Sequence, residues 1–271
     1  MTTNRRSGAV PVAAVLALLP TVVPAAPSAD ELARAVQNPL ATLISVPFQN
    51  NTNFDVGPRD GTQNVLNIQP VVPFAPSADW NVITRTILPI VSQPAGGAGT
   101  DRETGLGDIQ FSAFLSPAGS GSLVWGFGAI AQLPTNTDDR LGNDNWGLGP
   151  TFVVLRVAPG SPWVYGVLLN NVWSVTDRAG AGAYNNFLAQ PFVNYNLPGG
   201  LYLTTAPVVT ASWRADAGDR WTVPVGGGVG KILRFGRLPV NAQVSGYTNV
   251  EKPESGADWQ LRLQVQFLFP K

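Results

Sequence analysis

Along residues 258–271, Trp259, Leu261, Leu263, Val265, Phe267 and Phe269 fall at every second position, with Gln260, Arg262, Gln264 and Gln266 between them. A period of two puts the two sets on opposite faces of a β-strand. A soluble sandwich can use such a strand, but it usually places short charged side chains on the wet face. A membrane barrel needs an outer face this uniformly apolar and turns the polar set to its lumen. Runs of the same kind predict strands over 42–50, 64–74, 80–93, 106–115, 123–133, 146–157, 163–175, 186–197, 201–213, 221–233, 239–250 and 258–271. Their connections alternate between polar loops (51–63, 94–104, 134–145, 176–184, 214–220, 251–257) and short turns (76–79, 117–122, 159–162, 198–200, 235–237). An even count of about twelve strands with loops sorted by length is the plan of an outer-membrane barrel, turns periplasmic, loops outside and both termini inside. The expected fold is all-β: a transmembrane antiparallel up-and-down β-barrel over 41–271, preceded by a short N-terminal helix.

Tryptophan placement points the same way. Trp80, Trp125 and Trp163 follow short turns, whereas Trp146, Trp173, Trp213, Trp221 and Trp259 lie beside long loops. Indole prefers the headgroup level, so these positions predict two aromatic girdles. Pro70, Pro89, Pro150, Pro191, Pro207 and Pro224 argue for irregularity. Each removes a ladder hydrogen bond, and a closed barrel has no edge to hide it on, so bulges or strand breaks are expected there.

Ahead of the strands, Arg5 and Arg6 precede an apolar segment over 9–23 and small residues over 25–29. This is the order of a secretory signal peptide, assigned to 1–29. Pro11 and Pro20 interrupt a segment shorter than the roughly 20 residues a spanning helix needs. Ser28 and Glu31 have the spacing of a capping box, and 30–37 can form two helical turns before Asn38 and Pro39 stop them. Segment 30–40 is expected as a short periplasmic or lumenal helix, either a frayed lead-in or a plug folded into the lumen.

Composition narrows the chemistry. Charged residues make up 13% of the chain, where about 25% is usual, while the apolar fraction of 44% is ordinary. Alternation of apolar residues with Gln, Asn, Ser, Thr and Gly produces that combination. The 17 basic and 17 acidic residues cancel, which leaves no nucleic-acid footprint. Without cysteine there is no disulfide and no thiolate metal site. Without histidine, Ser-His hydrolases, Cys-His proteases and His-ligated metals are excluded. No catalytic residue, cofactor or metal is expected, and the chain is not expected to be an enzyme.

If the apolar parity of each strand faces lipid, the lumen receives Asn67, Gln69, Arg85, Asp108, Gln110, Ser112, Gln190, Asn194, Tyr202, Thr204, Asn241, Gln243, Arg262, Gln264 and Gln266. Most are neutral amides and hydroxyls, suited to hydrating a pore. A charge at mid-height costs roughly 2 to 4 kcal/mol if it faces lipid, so Arg85, Asp108 and Arg262 are expected inside. There they form either a selectivity constriction with Gln190, Asn194, Gln264 and Gln266, or a salt-bridge network that holds the wall. Pro224, Gly226, Gly228 and Gly230 share one face, a bare stripe that permits either close approach or a sharp bend. Asp138, Asp139, Asn143, Asp144 and Asn145 cluster in one loop without EF-hand spacing, and an ordinary solvated loop is the expectation over a calcium site or a lipopolysaccharide bridge.

Several segments resemble the outer-membrane family named for the meta-pathway of phenol degradation. They are Gly105-Leu106-Gly107-Asp108, the run from Trp146 to Pro150, the run from Gln190 to Asn196, the run from Trp221 to Lys231, the run from Pro239 to Gln243, and the closing strand. The resemblance covers nearly the whole mature chain. It implies a transporter-like β-barrel in the outer membrane of a Gram-negative bacterium, and it supplies no catalytic residues. The expected function is a porin-like channel for passive passage of small solutes, aromatic or apolar compounds among them. The alternative is a non-conducting, plugged barrel whose surface loops bind a partner. The expected partners are outer-membrane lipid and lipopolysaccharide, the outer-membrane assembly machinery and a small-molecule solute, with no nucleic acid. Phe267 and Phe269 resemble the C-terminal signal that this machinery reads, although Pro270 and Lys271 follow them.

Overall fold

A computed structural model describes residues 27–97, 99–119, 121–236 and 238–270; the expected signal peptide, up to residue 26, lies outside them. Helix α1 (Ala29–Val36) leads into strands β1 (Ile44–Val56), β2 (Gly61–Ile68 continued by Val71–Phe74), β3 (Trp80–Gln93), β4 (Glu103–Leu106 continued by Ile109–Pro117), β5 (Leu123–Leu133) and β6 (Gly147–Val157). β7 (Trp163–Ser174), β8 (Asn185–Asn196), β9 (Leu201–Thr205 continued by Val209–Ser212), β10 (Trp221–Phe235), β11 (Leu238–Glu251) and β12 (Trp259–Phe269) follow. Each strand pairs antiparallel with the next, and β12 pairs with β1 from Ile44 opposite Phe269 to Phe54 opposite Trp259. The result is a closed barrel of 12 strands with one short helix at its N-terminus. Closure leaves no exposed sheet edge, the condition for a sheet to cross lipid.

The outer wall is apolar. Phe111, Phe127, Leu148, Phe152, Leu203 and Leu263 are all exposed on it. Side chains of the opposite parity point inward, so Ser112, Thr151, Asn194, Thr204, Asn241, Ser245, Arg262 and Gln266 are buried.

The first connection corrects the sequence reading. Residues 51–63, expected as a polar loop, are mostly strand: β1 runs to Val56, β2 begins at Gly61, and a single 3-10 turn (Gly57–Arg59) joins them. Amides within and beside this run satisfy one another across the ladder. Asn50 Nδ2 donates to Asn64 Oδ1 at 2.8 Å, Asn53 Nδ2 to Gln63 Oε1 at 2.7 Å, and Gln63 Nε2 to Gln93 Oε1 at 2.5 Å. Paired amides of this kind make a strand as satisfied as an alternating one.

The mid-strand prolines are accommodated in different ways. At Pro70 and Pro207 the strand is interrupted but its register resumes unchanged, since Ile68 opposite Leu88 and Val71 opposite Arg85 keep one ladder. The β9 to β10 register likewise continues from Thr204 opposite Gly228 to Thr210 opposite Thr222. Pro224 sits where the β10 to β11 register shifts. Pro150 sits at a gap in the β6 to β7 ladder, and Pro191 stays within its strand opposite Val167. Pro89 accepts a hydrogen bond from Gly107 N at 2.9 Å, beside the break in β4. That break lies between Leu106 and Ile109 and shifts the register against β3, as a bulge does.

Helix α1 is not a frayed lead-in. Ser28 caps it, with Glu31 N donating to Ser28 Oγ at 3.2 Å and Ser28 N donating to Glu31 Oε2 at 2.7 Å. Its Leu32 and Ala33 are buried with Tyr202, Ile232 and Leu268, which point inward from β9, β10 and β12 at the short-turn end. Asp30 Oδ1 accepts from Gly200 N at 2.6 Å, and Gln37 exchanges amide hydrogen bonds with Asn196. Further along, Leu40 is buried among Ile83, Phe114, Val153, Leu155, Val164, Leu168 and Phe192 of the opposite wall. The segment from α1 to Leu40 therefore crosses the turn-side mouth from β9–β12 to β3–β8.

Candidate functional site

The lumen above that segment is hollow. A turn-side cavity of about 180 Å³ is bounded below by Gln37, Asn38 and Pro39, and by Gln69, Arg85, Gln190, Asn194, Gln264 and Gln266 on its walls. A second cavity of about 330 Å³ lies toward the loops and is lined by Asn51, Asn67, Asp108, Gln110, Ser112 and Arg262, among others. The two share Gln49, Gln69, Arg85, Leu168 and Gln190, and a third, bounded by Gln63, Pro224, Gln260 and Arg262, continues toward the loop rim.

The walls are of two kinds. Amides from β1, β2, β11 and β12 cover one side: Gln49, Asn51, Asn67, Gln69, Asn241, Gln243, Gln264 and Gln266. The side formed by β4–β8 is mixed: Phe114, Ile130, Leu168, Leu188 and Phe192 are interspersed with Gln110, Ser112, Thr151, Asn170, Gln190 and Asn194. The sequence reading assigned no lumenal residue to β5, β6 or β7, because these strands lose their alternation. Val153 and Leu155 point in and are buried, while Leu148 and Phe152 point out and are exposed. An apolar run at both parities is the signature of a strand covered on both faces, and it was present in the sequence.

Three charged side chains line the cavities, and none is paired with another. Arg262 is only 4% exposed. Its Nε donates to Asn51 Oδ1 at 3.0 Å, Nη1 to the Ala206 carbonyl at 2.9 Å and Nη2 to Gln260 Oε1 at 3.1 Å. Its guanidinium carbon lies 4.8 Å from the centre of the Tyr247 ring, a cation–π contact. These partners stitch β12 to β1 and to the interruption in β9. Arg85 makes one hydrogen bond, from Nη2 to Gln69 Oε1 at 2.5 Å. Asp108, in the break of β4, accepts from Asn143 N at 2.7 Å, Gln132 Nε2 at 3.0 Å and Asn136 N at 3.3 Å. Ion pairs among the described residues lie at the loops: Arg140 with Glu103 at 2.8 Å and with Asp138 at 3.3 Å, and Lys252 with Asp258 at 2.8 Å. The salt-bridge network considered from the sequence does not form between Arg85, Arg262 and Asp108, whose partners are neutral.

Loop 134–146 is not the ordinary solvated loop expected. Leu141 and Asn145 are buried, and the loop packs on Gly105 and Gly107, where a Cβ would meet Thr137 and Leu141. Asn145 Oδ1 accepts from Arg178 N at 2.9 Å and Thr176 Oγ1 at 3.1 Å, joining this loop to 175–184. Tyr184 donates to the Asn145 carbonyl at 3.3 Å, and burial together with the nearby Asp108 charge pushes its hydroxyl up to about 12, so it stays a donor. Among the described residues no acidic cluster has metal-ligand geometry.

In β10, a Cβ on Gly226 or Gly228 would fall on the β11 backbone, and one on Gly230 would fall on the Tyr202 ring. The bare stripe is thus taken up by close backbone approach and by one inward tyrosine. On the outer surface Trp80 and Trp125 meet edge to face at 6.3 Å and Trp163 packs on Tyr195 at 4.8 Å at the turn end. At the loop end Trp213 meets Trp221 at 5.5 Å, and Trp259 stacks on Phe54 at 3.9 Å. Trp146 and Trp173 are exposed at the loop ends of β6 and β7. Trp213 Nε1 donates to Asn171 Oδ1 at 2.8 Å, which satisfies an amide on the outer face.

A sequence model described as the MetA-pathway of phenol degradation matches residues 47–271. No curated protein matches the sequence. Among solved structures, an outer membrane channel from Pseudomonas putida F1 aligns with a TM-score of 0.64 at 16% identity, over 86% of this chain and 97% of its own. The β domain of the Bordetella autotransporter BrkA gives 0.49 at 10% identity, over 84% of this chain and all of its own (100%). The Salmonella typhi outer membrane phospholipase dimer with bound calcium gives 0.45 at 12% identity, over 91% and 99%. At 16% identity the likeness to the Pseudomonas putida channel is one of fold.

Proposed function

The chain belongs to the family described as the MetA-pathway of phenol degradation, and on that footing we propose that it is an outer-membrane channel of a Gram-negative bacterium for the passive passage of small solutes, aromatic or apolar compounds among them. The observation that carries this reading is the series of adjoining cavities, sharing wall residues, between the loop side and the segment at the turn-side mouth. A barrel of about eight strands is just wide enough for side chains to fill, and this one has 12. Here the amide wall hydrates a path while the Leu168 and Phe192 side lowers the cost for an apolar solute. Membrane lipid surrounds the apolar belt. Lipopolysaccharide at the loop rim and the assembly machinery acting on the closing strand are the further partners this reading implies.

The N-terminal segment makes the second reading, a barrel plugged at rest, a specific one. α1 and Leu40 cross the turn-side mouth and so stand in the path of solute leaving on that side. Deleting 30–37 tests both readings by liposome swelling with small neutral solutes. A channel gives measurable flux in the intact protein and several-fold more after deletion. Flux that begins only after deletion favours the plugged barrel, and an impermeable barrel in both forms overturns the channel.

A further inference from the structure

We propose that the lumen holds a receptor site for small amphipathic organic anions, in which Arg85 binds a carboxylate while Leu168, Leu188 and Phe192 receive the apolar body. The inference rests on the channel reading for its biological setting and on the geometry of the cavities for its chemistry.

The charged groups lining the cavities are Arg85, Arg262 and Asp108, so the lumen carries one positive charge in excess. Asp108 does not cancel it locally. It lies four residues along β4 from Ser112, the residue opposite Arg85, which is about 13 Å at the usual strand rise. Three N–H donors from Asn143, Gln132 and Asn136 already engage its carboxylate. Arg262 is also spent, since each of its three nitrogens reaches a neutral oxygen and its face is covered by Tyr247.

Arg85 differs. Its one hydrogen bond leaves Nε and Nη1 without a partner, in the wall common to the turn-side and loop-side cavities. A guanidinium held by one edge and open at the other presents the fork that matches a carboxylate. Arg85 is half-buried, and its unbonded edge faces the cavity rather than packed protein. The missing counter-charge here is one that the cavity has room to admit. Gln69 fixes one Nη of Arg85, and Gln190 adds amide donors from β8 in the same two cavities. Leu168 lines both cavities, Phe192 the turn-side one and Leu188 the loop-side one. A neutral apolar solute would use only that second wall, and an inorganic anion only the first.

Benzoate and its neutral isostere benzamide separate these cases by isothermal titration of the full chain in a neutral detergent. The expected result is benzoate binding at least tenfold tighter than benzamide at low salt, with the preference shrinking at high salt. R85Q should abolish that preference and R85K should restore part of it. Equal binding of the two probes, or an undiminished preference in R85Q, overturns the site. Should R85Q fail to fold, the intact protein's preference alone decides. Because this titration needs no flux, benzoate binding in an impermeable barrel removes the channel reading and keeps the site, whereas solute flux without benzoate preference does the reverse.

Discussion

Asn145 shows how much one side chain can organise. It is 0% exposed, and its side chain collects Arg178 N and Thr176 Oγ1 on one atom while Nδ2 donates to the Ala181 and Gly182 carbonyls at 3.3 and 3.4 Å. Replacing it by alanine strands those partners in a dry site, at a cost of about 1 to 3 kcal/mol. N145A should therefore speed tryptic cleavage after Arg178 in intact proteoliposomes while the barrel itself stays folded, and an unchanged cleavage rate would show that the loops are held by other contacts. The sequence displays Asn145 only as one polar residue in a cluster, because its partners lie some thirty residues on, across a separate strand pair. Arg262 is the contrasting case. Its position between Leu261 and Leu263 puts it on the wet face of its strand, yet nothing near it in sequence indicates that a distant asparagine and a strand-break carbonyl would receive its protons rather than a carboxylate.

Elements were legible wherever one face was polar and the other apolar, as in β12, and not where both faces were alike. The run 51–63 reads as a loop because local alternation cannot reveal amides such as Asn53 and Gln63 that satisfy each other across a ladder. β6 and β7 read as strands without an inside because their inner face is covered by Leu40. The docking of α1 has a signal of the same kind: Tyr202, Ile232 and Leu268 are large side chains on lumenal parity at the turn end, and all are buried by the helix. Tyr202 is the shelf, with its hydroxyl donating to Asn241 Oδ1 at 2.8 Å and its ring filling the space over Gly230. A methyl at Gly230 has to displace that ring, an overpacking cost of about 1 to 3 kcal/mol. G230A should loosen α1 and raise solute flux toward that of the 30–37 deletion, whereas G246A, whose Cβ would meet nothing within 4 Å, should leave flux unchanged. Equal fluxes in the two variants would separate Tyr202 from the hold on the helix.

For the whole molecule the governing distinction is between lipid and lumen, and one step along a strand crosses it. Leu263 is 47% exposed on the apolar wall near the middle of β12, and its neighbour Gln264 lines the turn-side cavity. The same arginine placed at either position keeps composition, strand and depth nearly constant and changes only the solvent it faces. Facing lipid near mid-height it costs about 2 to 4 kcal/mol, while facing a cavity already bounded by amides it meets hydrogen-bond acceptors and water. L263R should therefore lower the stability of the folded barrel in urea titrations from lipid vesicles by that amount, and Q264R by less than half as much. A soluble sandwich would tolerate L263R at its water-facing surface and would suffer most from Q264R in its core, so a reversed order would overturn the assignment of inside and outside on which the cavities, the girdles and the proposed path all depend.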